Sequence, residues 1–130
     1  MGAWGVGSFE NDDALDFTSA FPEADDLEIL EDAFSAVIEN DELEASECCN
    51  AIAAAEVVAA LRKNPLASLP ESVTEFVGRM RMPVPPRLVR DALHALEAIQ
   101  ASSELKELWE DTADGADWHA CLADLESRLR

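Results

Sequence analysis

Glu56 is the residue with the most chemical consequence in this sequence, because it is the one charged side chain within the apolar run from Ala51 to Leu61. A carboxylate buried there without a partner costs several kcal/mol, roughly, or takes up a proton. It therefore needs a hydrogen-bonding partner or an exit to water. Backbone N–H groups of the glycine-rich opening, or an arginine such as Arg90, are the expected partners, and through them Glu56 would pin the first segment to the helix that carries it. Asp12 and Asp16 stand four residues apart and share one helix face, so with Asn11 or Glu56 they can offer oxygen ligands to a hard cation. Asn11, Asp12, Asp16 and Glu56 form the candidate binding set on this reasoning. The plainer reading of the first three is a helix cap followed by a solvated acidic face. An acid and base pair made of Glu56 and Asp16 would need opposed environments for the two carboxyls.

The other reactive side chains make no recognisable site. His94 and His119 are the only histidines, and neither has zinc-ligand spacing or an activating neighbour. Cys48, Cys49 and Cys121 make neither a metal motif nor an even-numbered disulfide framework, which favours buried packing in a reducing cytoplasm. Trp4, Trp109 and Trp118 read as core and capping aromatics rather than a binding cage. Gly2, Gly5 and Gly7 are not a phosphate loop, since no strand precedes them and no lysine follows. No cofactor is expected.

Charge bounds the partners. The 28 acidic residues face nine basic ones, a net charge of −19, and no Lys or Arg precedes Arg62. Such a balance opposes binding to nucleic-acid phosphates or anionic lipid and leaves basic proteins, cations or simple solubility as explanations. The longest stretch without a charged side chain is the nine residues Met1 to Phe9, far short of a membrane span, and no basic segment leads an apolar one as in a signal peptide.

The elements that must position these residues are helical. From Glu44 to Lys63 almost no polar face remains, and a helix of that length runs about 30 Å. Apolar on every side and rich in alanine, it is expected to be the central rod against which the others pack. Asn11 caps a first helix closed by Pro22, and a second runs from Asp26 to Glu39 with Leu27, Leu30, Phe34, Val37 and Ile38 in one stripe. The rod ends near Asn64-Pro65. Pro70 starts a fourth helix weakened by Gly78, and Pro86 starts a fifth. Ser102 or Ser103 caps a sixth from Glu104 to Asp111, unless it continues the fifth, and Asp114-Gly115 breaks the path before a last helix from Ala116. The pattern predicts a single all-α domain over residues 1–130, a compact bundle of about six or seven helices around the alanine-rich one.

With these segments placed, Met-Gly-Ala-Trp-Gly at 1–5, Phe-Glu-Asn-Asp-Asp-Ala-Leu-Asp-Phe at 9–17, the alanine-rich run at 53–61 and Glu-Leu-Trp-Glu at 107–110 form a recognisable series. It resembles an uncharacterised bacterial family of unknown function whose members open with Gly-Ala/Thr-Trp-Gly and an Asn-Asp helix start. Phe17 stands where many members carry tryptophan, which keeps an aromatic at that place. The resemblance implies a small bacterial soluble domain and supplies no catalytic residue.

The expected function is therefore non-enzymatic: a cytoplasmic domain that binds a protein partner, a basic one, through an acidic surface, as an inhibitor or immunity-type protein does. The alternative is a small cation-binding protein or hydrolase using the carboxylates near the N-terminal segment. An exposed acidic face favours the first, and convergent carboxylates in a cleft favour the second.

Overall fold

A computed structural model describes residues 5–130. Trp4 and Gly2, with the expectations attached to them, lie outside the described residues. Seven α-helices follow in order: α1 (Asp12–Thr18), α2 (Glu28–Ile38), α3 (Ala45–Leu61), α4 (Glu71–Arg79), α5 (Pro86–Ala101), α6 (Glu104–Glu110) and α7 (Gly115–Leu129). Among the described residues there is no strand.

The rod expected from the apolar run is α3. Every residue from Cys48 to Ala60 except Asn50 is buried, and α3 packs against all six other helices. Alanine at most of its central positions is what permits this, since a bulkier side chain would hold neighbours off on at least one side. Helix α5 lies antiparallel to α3: Leu61 and Pro86 share one groove, while at the far end the Glu104 N–H donates to the Leu43 carbonyl (3.0 Å). Helix α7 runs parallel to α3, bringing Arg128 beside Glu56 and Leu129 beside Arg62.

Local chemistry sets the ends. Asn11 accepts from the Ala14 N–H (2.7 Å) and starts α1. That helix stops at Thr18, earlier than Pro22 predicts, because a separate 3₁₀ turn, Phe21–Glu23, inserts Phe21 into the core against Phe76 (ring centroids 4.8 Å). At the end of α3 the Asn64 N–H reaches the Ala59 carbonyl and the Lys63 N–H reaches that of Ala60, with Lys63 at φ 68°. This is the hydrogen-bond pair of a Schellman ending, with lysine where glycine is usual. Between α5 and α6 the helix is not continuous. Ser102 is extended, and Ser103, whose hydroxyl accepts from the Lys106 N–H (3.0 Å), caps α6.

Gly115 departs from its expected role. Rather than breaking the path it is the first residue of α7, and it is buried. A Cβ there would lie 3.1 Å from the Trp109 carbonyl oxygen, so the glycine lets α7 begin directly against the end of α6.

Candidate functional site

Glu56 is 1% exposed and fully engaged. Its Oε1 accepts from Arg128 Nη1 (2.7 Å), and its Oε2 accepts from Arg128 Nη2 (3.0 Å) and from the Ser8 hydroxyl (2.8 Å). The opening segment is thus pinned as expected, but through a side chain rather than backbone N–H groups. The arginine is also different: Arg90 is exposed on α5, and Arg128 fills the role because α7 runs alongside α3. Arg128 also donates from Nε to Asp124 (2.8 Å) and from Nη1 to the Asn64 carbonyl (3.3 Å). The Glu56 hydrogen bond raises the guanidinium pKa further, keeping it charged. With both oxygens engaged, Glu56 joins α3 to α7 and to the segment that carries Ser8.

The remaining members of the predicted set are not brought to Glu56 as ligands. The Asn11 side-chain oxygen is occupied by its cap, and Asp12 and Asp16 are exposed on α1. Among the described residues, no three His, Cys, Asp or Glu side chains are grouped so as to hold a metal ion.

A different arrangement lies at the N-terminal end of α3. A crevice of about 300 Å³ opens between the Gly5–Ser8 segment, α1, α3, α6 and α7. Ile52, Leu105, Leu122, Trp109 and Trp118 line it together with Leu108, which is 37% exposed. Two carboxylates, Asp13 and Glu104, belong to the same wall. Glu104 is held in place because its Oε1 accepts the Ala45 N–H (2.8 Å), so α3 is capped by a side chain from α6. The charge of Asp13 is felt below it: burial pushes the Cys49 thiol up to about 12, and Asp13 adds to the shift.

A family model described as a domain of unknown function (DUF4259) matches residues 2–121. The chain belongs to the DUF4259 family. Asp13, Glu104, Trp109 and Trp118 all fall within the matched stretch of this DUF4259 chain, whereas Arg128, the partner of Glu56, lies beyond it. Among curated proteins and among solved structures, none matches the chain significantly.

Among the described residues of this DUF4259 chain, burial keeps the thiols protonated. Burial pushes the Cys48 thiol up to about 11, and Cys121 is raised by burial together with Asp124 and Asp117. Thiols so protonated are poor nucleophiles. His94 is exposed, and His119 meets Glu110 through Nε2 (3.1 Å) beside the Trp118 ring. That contact holds the Glu110 carboxyl below the usual range. Sequence reasoning named Trp109 and Trp118 as core residues, which they are, and missed that both also wall a crevice. Asp13 and Glu104 were hidden because each looks like an ordinary first-turn acid.

Proposed function

We propose that this chain is a non-enzymatic protein-binding domain whose acidic face receives a basic segment of a partner, with a lysine or arginine side chain entering the crevice at α3. The supporting observation is the crevice itself, which combines a wall of aliphatic and indole groups with Asp13 and Glu104. A long cationic side chain matches that combination, its methylene stem against the apolar wall and its head on the carboxylates. Asp12, Glu107 and Asp111 are exposed on α1, on α6 and at its end, the helices that supply Asp13 and Glu104. Masking a basic surface of another protein, as inhibitors and immunity-type proteins do, fits this reading, and the three free cysteines fit a reducing cytoplasm.

The cation-binding or hydrolytic alternative draws no comparable support, since Asn11 is a cap and Glu56 an ion-pair partner. The test is a titration of the isotope-labelled chain with a peptide alternating arginine and leucine, at near-physiological salt. Saturable shifts of the Trp109 and Trp118 indole N–H signals, weakened at least about tenfold by Asp13→Asn with Glu104→Gln, are expected. Shifts that do not saturate, or that survive both substitutions unchanged, would refute the reading.

A further inference from the structure

The basic residues are as unevenly placed as the acidic ones. Between Arg62 and Arg90 six of them face only Glu71 and Glu75, a local charge of +4, while the rest of the chain holds three bases against 26 acids. At the C-terminal end of α3 this stretch borders a second groove, of about 430 Å³, lined by Leu61, Val84, Pro86 and Val89 with Arg62 in its wall. Arg90 follows Pro86 by four residues and so shares the Pro86 side of α5, one helical turn from that wall of the groove. Arg90 and Arg81 are exposed, and Met82, 45% exposed, precedes Val84 in the proline-rich connector. Of the basic residues in this stretch, Arg87 alone meets a carboxylate among the described residues, Glu31 at 3.2 Å. Helix α5 is also the one α-helix here with no acidic residue in its first turn, so the positive end of its dipole adds to the arginines.

We propose that this groove docks an acidic segment of a partner protein, seating an apolar side chain between Leu61, Val84 and Val89 and placing flanking carboxylates on Arg62 and Arg90. Charge complementarity argues for that occupant. A positive site on a strongly acidic protein selects a short anionic segment, because anything longer meets the negative charge elsewhere on the chain. Screening over about 8 Å at physiological salt lets the local contacts act. A nucleic acid fits less well. Its phosphates would be repelled beyond the patch, and the aliphatic groove wall offers no ring on which a base can stack. The prolines at 83, 85 and 86 stiffen the connector, so little order is lost when a ligand seats. This site stands apart from the crevice at the other end of α3 and does not depend on it.

The test uses the whole chain and a fluorescein-labelled peptide of about twelve residues, glutamate throughout except leucines at helical spacing, followed by anisotropy. Saturable binding is expected, weakened at least about tenfold by Arg90→Glu and by Val89→Asp, with Arg81→Glu weakening it less. Asp13→Asn at the crevice should leave it unchanged, which separates this site from the first. Thermal melts of each variant establish that it is folded. Three results would overturn the proposal: no saturable binding, equal binding of a peptide with serine for each leucine, or equal binding of a thymidine oligonucleotide.

Discussion

Arg128 and Glu56, 72 residues apart in sequence, form a two-point ion pair with contacts of 2.7 and 3.0 Å in which the carboxylate is 1% exposed and the guanidinium 16%. Breaking such a pair from one side strands a charge, which costs about 3–5 kcal/mol, whereas removing both partners together costs far less. Arg128→Met should therefore lower Tm by on the order of 10 °C, and more than Glu56→Gln does. The double substitution Glu56→Met with Arg128→Met should recover much of that loss. Glu56→Gln should also weaken the hold on Ser8, so the Glu10 amide, now bonded to the Gly7 carbonyl, should exchange faster. Equal melting temperatures for wild type and both single variants would mean that the pair is not structural.

The same pair shows where sequence reasoning reaches and where it stops. That Glu56 needs a hydrogen-bonding partner or an exit to water follows from its apolar neighbours alone, and an arginine is one partner that would serve. Which arginine depends on the direction in which α7 passes α3, and no local pattern encodes that, so Arg90 and Arg128 are equivalent until the helices are packed. Helix starts at Asn11, Pro86 and Glu104 were legible because capping and proline chemistry are local. The crevice was not, because Asp13, Glu104 and the two indoles come from three helices and each has an unremarkable role on its own.

Two glycines in helices should respond to alanine with opposite sign. Gly78 sits in α4 with nothing within 4 Å of the position a Cβ would take. Gly78→Ala should stabilise by about 0.5–1 kcal/mol through helix propensity. At Gly115 the new methyl would press on the Trp109 carbonyl oxygen and the Glu110 Cα, at 3.1 and 3.3 Å, both backbone atoms. Gly115→Ala should destabilise by about 1–3 kcal/mol. Urea denaturation of the two variants gives the comparison, and a stabilising Gly115→Ala would show that α7 can shift freely off α6.

Ser102 and Ser103 look interchangeable as caps, but only Ser103 is used. Its hydroxyl accepts from the Lys106 N–H and donates to the Ile99 carbonyl (2.8 Å), joining the end of α5 to the start of α6, and it is buried. Ser103→Ala should cost about 1–2 kcal/mol, at the upper end of the capping range, while exposed Ser102→Ala stays within about 0.5 kcal/mol of wild type. Similar losses at both positions in a chemical melt would contradict the assignment of the cap.

The alkaline limb of stability should be governed by thiols. Cys48 and Cys49 have pKa values pushed by burial from 9.0 to about 11 and about 12, while in the unfolded chain they ionise near the ordinary value. Below pH 9 both states hold the protons and these groups leave stability unchanged. As pH rises from about 9 towards 11–12, the unfolded chain loses its thiol protons first and is favoured, so stability falls. Competing titrations are few, since the chain has no tyrosine and its only lysines are Lys63 and Lys106. Stability measured in urea from pH 7 to 10.5 should decline above pH 9, and the decline should shrink when Cys48 and Cys49 are replaced by alanine. In the native state at pH 8 a maleimide should label half-buried Cys121 first and reach the other two only when the chain unfolds. Rapid labelling of Cys48 or Cys49 under those conditions would show that α3 is less enclosed than its burial implies.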